Sequence, residues 1–213
     1  MRAVQNAGGH VGLTARAYEI DKATNVTAGA VVKLSGGKVV LAAAGETGPI
    51  LGIAAENHPG ADDAMNLRAN GTEILVYDNP ELIFECKAPE FAASGGTATT
   101  VTATASNVAC AVADKFNGGK LIDGKGVVRK ITDYAQASDT STFTVNAGSA
   151  AVSGDKIRLF PPVGTVSAMA LSADGSGLVL TGAGLSKVKV VGHDLVRGMV
   201  RLMAVEHSLG VEN

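Results

Sequence analysis

With 213 residues, 46% of them hydrophobic, and a mean hydropathy of +0.22, the chain can bury the core of one large or two small domains, which excludes global disorder. A formal net charge of −2 with only 18% charged residues leaves no broad basic face for phosphates or anionic headgroups, so neither nucleic acid nor a membrane is expected as a partner. Aromatic residues make up 4%, Trp is absent and glycines number 27, so the apolar content rests on small and β-branched side chains, which favour strands broken by frequent turns.

At the N-terminus, residues 1–13 carry little charge and little periodicity, and Gly8, Gly9 and Gly12 loosen them; they are expected as an extended arm with no core of its own. The first ten residues lack the apolar stretch of a secretory signal, and no run approaches the roughly 18 to 20 apolar residues of a membrane span. The chain is therefore expected to stay in the cytoplasm where it is made.

Short apolar runs follow at 15–20, 30–34, 38–42 and 50–55. The Gly36-Gly37 pair between Val31-Val32-Lys33-Leu34 and Lys38-Val39-Val40-Leu41 predicts a hairpin, because both central residues of a type I′ turn need positive φ. A second hairpin is predicted from 73–77 and 82–86 through Asp78-Asn79-Pro80-Glu81, where Pro fixes φ and turns the chain. Between 89 and 113 the composition shifts to Ala, Thr, Ser and Gly, a candidate domain boundary. Strand patterns resume at 120–122, 127–134, 141–145 and 156–160, and Pro161-Pro162 ends that series. The remainder offers 166–171, the turn Asp174-Gly175-Ser176-Gly177, then 178–180 and 187–191. Residues 194–207 fit helical spacing in part and a long strand as well; Gly198 and the valines favour the strand.

Motifs for chemistry are weak. Gly119-Lys120-Leu121-Ile122-Asp123-Gly124-Lys125-Gly126 has the spacing of a phosphate loop but lacks the final Ser or Thr and is followed by a strand pattern, so its glycines read as turns. Leu180 stands where a dinucleotide fingerprint beginning at Gly175 and Gly177 needs its third glycine. His10, His58, His193 and His207 are far apart, and a carboxylate adjacent in sequence points to the other face of a strand. Cys86 and Cys110 lack metal-ligand spacing and read as reduced, buried small hydrophobes. Asp62, Asp63, Asp133, Asp139 and Asp155 read as solvated turn residues, although a Ca²⁺ site built from turn carboxylates has the same signature. No cofactor is expected, and the enzyme reading is confined to a hydrolytic site assembled from scattered residues.

Two groups of segments are similar to proteins of tailed-phage particles. Ala28-Gly29-Ala30-Val31-Val32-Lys33-Leu34 with Ile50-Leu51-Gly52-Ile53-Ala54-Ala55 resembles the opening of head decoration and auxiliary capsid proteins. Arg129-Lys130-Ile131-Thr132-Asp133-Tyr134, Thr142-Phe143-Thr144-Val145 and Gly154-Asp155-Lys156-Ile157-Arg158-Leu159-Phe160 resemble a β module that recurs in phage virion proteins. The resemblance implies a structural protein on the capsid exterior, assembled in the host cytoplasm. It further implies binding to the major capsid protein, a homotrimer at a local threefold axis, and no catalytic residues. A tail or head-fibre component is the alternative within the same class.

The expected fold is all-β, a barrel or sandwich over 14–90 plus 163–213 with an inserted β module over 91–162 and the arm at 1–13. Attachment is expected through the arm, which strand addition to a neighbouring subunit would order, with Val4, Val11 and Leu13 as apolar anchors. The loop at 56–63 is expected to contribute Asn57, His58 and Asp62 to the same contact.

Overall fold

The computed structural model describes residues 1–6, 13–42, 48–60, 71–110, 112–164, 170–172, 175, 177–180 and 188–205. Regular structure among them is entirely β, in twenty strands with no helix. The first seven are β1 (Arg2–Asn6), β2 (Ala15–Glu19), β3 (Asn25–Val26), β4 (Val31–Ser35), β5 (Lys38–Leu41), β6 (Gly52–Ala54) and β7 (His58–Pro59). Next come β8 (Glu73–Tyr77), β9 (Leu82–Lys87), β10 (Glu90–Ala92), β11 (Gly95–Gly96), β12 (Thr100–Thr104), β13 (Lys120–Asp123) and β14 (Val128–Ala137). The last six are β15 (Thr140–Val145), β16 (Lys156–Phe160), β17 (Ala170–Leu171), β18 (Leu178–Val179), β19 (Val188–Asp194) and β20 (Met199–Ala204).

The strands form three main antiparallel sheets, none closed on itself: β1-β9-β20-β19, β2-β8-β6-β4-β5, and β10-β16-β13-β14-β15-β12-β11. The all-β expectation holds, with layered sheets in place of a barrel. All seven strands of the largest sheet come from 90–160, whereas the other two draw on 2–87 and 188–204.

Side-chain alternation explains how the layers cohere. In β4, Val31 enters the larger hydrophobic cluster and Val32 the smaller one, and in β6 Ile53 and Ala54 divide the same way, so the centre of the five-stranded sheet is buried on both faces. The larger cluster runs without interruption from Phe84, Val200 and Leu202 of the four-stranded sheet to Phe91, Phe143 and Leu159 of the seven-stranded one. Within that largest sheet β14 changes partner along its length. Residues up to Lys130 pair with β13, and those from Ile131 pair with β15 across a bulge between Ile131 and Asp133. The bulge bends the sheet over the ring cluster of Phe91, Phe116, Tyr134 and Phe143. Tyr134 Oη reaches the Cys110 carbonyl at 2.9 Å and Ser141 Oγ at 3.0 Å, which satisfies the one polar atom in that cluster.

Local turn chemistry fixes the first hairpin as expected: Ser35 faces Lys38, and Gly36 and Gly37 have φ of +59° and +83°. The second expected hairpin is corrected. Asn79-Pro80 does turn the chain, with Leu82 N–H donating to the Asn79 carbonyl and Glu81 N–H to Asn79 Oδ1. Yet β8 pairs with β2 and β6, whereas β9 pairs with β1 and β20, so the turn carries the chain from one sheet to another.

The expectation of an extended arm left for a neighbouring subunit to pair with is also corrected over Arg2–Asn6, which is strand β1 on the edge of the chain's own sheet, with Arg2 opposite Glu85. Residues 7–12 lie outside the described residues. The first residue is held against Gly29, whose φ is +87° and where an added Cβ would stand 2.1 Å from the Met1 carbonyl oxygen. Gly29→Ala is therefore expected to dislodge β1 while the remaining sheets stay formed. Hydrogen–deuterium exchange should rise severalfold over Arg2–Asn6 and stay unchanged over β12 to β15; unchanged exchange in β1 would contradict the packing described.

Candidate partner-docking trough

Between Lys87, which ends β9, and Glu90, which begins β10, the chain passes from the four-stranded to the seven-stranded sheet in two residues. Both sheets hold that link: Ala88 N–H donates to the Gly198 carbonyl at 2.8 Å, and Leu159 N–H donates to the Pro89 carbonyl at 3.0 Å. Three openings of about 520, 490 and 490 Å³ lie side by side along it. The first and second share Lys87 and Ala88, and the second and third share Glu90 and Arg158, so the three adjoin one another and are taken together as a trough.

One end of the trough is apolar, with Met1, Cys86, Pro89, Leu178 and Met199. The middle is charged, with Lys87, Glu90, Arg158 and Arg197. The far end is mixed, with two hairpin tips that bring Ile122 and Val128 opposite Leu195 and Val196 beside the charged Glu90, Asp123, Lys156 and Arg158. Val196 is 97% exposed and Val128 46% exposed. Burying an isopropyl group of this kind is worth about 1.5–3 kcal/mol, so its display at a turn tip is a standing cost that a partner surface would offset.

The tips are rigid for identifiable reasons. Asp123 Oδ1 accepts from the Lys125 and Val127 amides at 2.9 and 3.0 Å, and its other oxygen accepts from Arg129 at 3.2 Å. The stretch with phosphate-loop spacing is thus the β13–β14 turn, with strands on both sides and no helix N-terminus behind it. At the other tip Asp194 Oδ1 accepts from the Arg197 amide at 2.9 Å, and Gly198 takes φ +68°.

Glu85, only 2% exposed, anchors the charged middle from below. Its carboxylate meets Arg2 at 3.0 Å, Arg197 at 3.1 Å and Arg201 at 4.0 Å, which joins β1, β9, β20 and the turn before β20. Arg158 Nε donates to Glu90 at 2.6 Å. Five cations line the trough (Arg2, Lys87, Lys156, Arg158, Arg197) against three carboxylates (Glu85, Glu90, Asp123), leaving an excess of two positive charges on a chain whose net charge is −2.

The residues singled out from sequence are not assembled here. Val4 lies within β1, and Leu13 packs half-buried against the larger cluster and lines a different opening with Arg16, Tyr77 and Asp78. Asn57 is exposed and accepts from the Ala28 amide at 2.7 Å. His58 is buried, at 6% exposure, with Nδ1 2.7 Å from the Thr24 carbonyl and Nε2 3.2 Å from the Gly71 carbonyl, so it ties loops together and offers no surface contact. Val11 and Asp62 lie outside the described residues. Leu195 and Val196, expected as apolar positions of a strand or helix over 194–207, lie instead in the turn that Asp194 and Gly198 close.

No group of three or more His, Cys, Asp or Glu side chains that could hold a metal occurs among the described residues. His193 is half-buried, its Nε2 2.7 Å from the Pro161 carbonyl, and burial lowers its pKa. Burial pushes the Cys86 thiol up to about 12, and burial together with a hydrogen bond to Asp78 raises the Tyr18 phenol to about 12. Both groups hold their protons more tightly folded than unfolded, so their stabilisation is complete below the unfolded pKa and is lost as pH rises through the folded value. Urea midpoints should be level between about pH 7 and 8, above the range in which His193 titrates, and fall between roughly pH 9 and 12. A midpoint that rises over that window would contradict the assignment.

Compared with protein-family models, curated proteins and solved structures, the chain matches none.

Proposed function

We propose that the chain is a structural subunit of a virus particle of the tailed-phage type, decorating the capsid exterior and tying neighbouring major capsid subunits together. The observation that carries a docking role is the trough, whose rigid rim displays Val128 and Val196 to solvent beside a charged floor. Such a rim suits the apolar centre of an interface better than it suits a free surface. The particle assignment adds the resemblance of 28–34, 50–55, 129–134, 142–145 and 154–160 to phage virion proteins. Open antiparallel sheets with a continuous core make a scaffold of the stiffness such a subunit needs.

Mass spectrometry of density-purified particles from cells carrying the gene should recover the chain as a major component, in a fixed ratio to the capsid protein. Light scattering on the purified chain should give the mass of a trimer. Its absence from particles, with the protein present in the lysate, would overturn the assignment.

A further inference from the structure

We propose that the trough takes an extended, acidic segment of a partner protein, flanked on both sides by apolar residues. The inference rests on reading the trough as a docking site, and it adds the chemistry of what docks. Three adjoining openings, each sharing two lining residues with the next, favour a segment lying along the β9–β10 link over a compact ligand. The apolar residues of the two ends, Leu178 and Met199 at one and Ile122, Val128, Leu195 and Val196 at the other, set where the segment's apolar side chains go.

The middle sets its charge. Arg158 is committed to Glu90, and Arg2 and Arg197 to Glu85, whereas exposed Lys87 and Lys156 have no ion pair among the described residues. Lys87 lines the first two openings and Lys156 the third, and the two are the source of the positive excess. Carboxylates on a partner would complement them, and lysines would be repelled. Nucleic acid fits poorly, because two uncommitted cations release few counterions and the apolar residues at the ends give a phosphate backbone nothing to pair with.

The test is fluorescence anisotropy with the full chain and labelled eight-residue peptides carrying two leucines at each end and four central residues that are all Glu, all Ser or all Lys. The Glu peptide should bind at least tenfold more tightly than the Lys peptide, with the Ser peptide between them, and its affinity should fall severalfold when salt is raised from 0.1 to 0.5 M. Val196→Asp should weaken it tenfold or more. Lys87→Glu with Lys156→Glu should reverse the order of the Glu and Lys peptides. Val152→Asp, at an exposed valine outside the trough, should leave binding unchanged.

No binding of the Glu peptide, equal binding of the Lys peptide, wild-type binding by Val196→Asp with an unchanged melting curve, or tighter binding of a labelled single-stranded DNA would each overturn the proposal. Any of these results with the chain still found on particles removes the trough chemistry and leaves the particle assignment standing. Peptide binding as expected with the chain absent from particles does the reverse.

Discussion

Replacing Phe143 by alanine is expected to lower the unfolding free energy by about 3–5 kcal/mol, the range for deleting a buried aromatic ring. Phe143 is fully buried on β15 and meets Phe91 at 5.5 Å in a stacked arrangement, Tyr134 at 4.9 Å and Phe116 at 5.8 Å. The chain has only five Phe and three Tyr, and four of those eight rings meet here, so the centre of the seven-stranded sheet depends on one cluster. The strands around it carry mostly Val, Ile, Leu and Ala, short side chains that cannot swing in to fill the space. Phe143→Leu should cost less than half as much, because most of the volume returns. Urea denaturation followed by circular dichroism measures both, and a loss below about 1 kcal/mol for Phe143→Ala would show that the cluster does not hold the sheet together.

A second large effect is expected at Glu85, and it is asymmetric. Removing Arg2 and Arg197 together leaves a carboxylate at 2% exposure with Arg201 at 4.0 Å as its one remaining ion pair, and an uncompensated buried charge costs about 3–5 kcal/mol. Glu85→Gln in the wild-type background takes away the buried charge and leaves arginines that are already about half exposed and can rehydrate, so its cost is nearer 1–2 kcal/mol. Combining Glu85→Gln with the two arginine removals should therefore be more stable than the arginine removals alone. A double-mutant cycle by chemical denaturation gives the coupling, and strict additivity would contradict the view that Glu85 is held charged by its arginines.

Much of the fold was legible because turn chemistry is local. Gly36-Gly37 specified its hairpin through two positive φ values, whereas 194–207, expected as one long strand, is broken: β19 ends at Asp194, residues 195–198 turn at Gly198, and β20 begins at Met199. Strand partners are not local. Asn79-Pro80 announced a turn correctly but could not say that β8 and β9 would leave it into different sheets, since that choice depends on which apolar faces meet across the core.

The arm shows the same division. Its composition suggested an arm that a neighbouring subunit would order, whereas Arg2 meets Glu85 of the same chain, 83 positions away. A trace existed in the sequence: one carboxylate inside the apolar stretch Leu82-Ile83-Phe84-Glu85-Cys86 signals a buried ion pair, and an arginine near the terminus is a natural complement. The trough was not legible as a place, because its walls come from strands far apart in sequence. Its parts were partly legible, as a Gly-rich turn at 124–126 and as the apolar residues Leu195 and Val196, which were expected in a strand.

The most direct measurement of the central claim is a reconstruction of purified particles from cells carrying the gene, at a resolution that shows strands. The account predicts the all-β chain on the outer surface of the shell, with density from a neighbouring subunit lying in the trough between the β13–β14 and β19–β20 turns against Val128 and Val196. Particles whose shell shows no density for this chain, or a chain bound with that trough open to solvent, would contradict it.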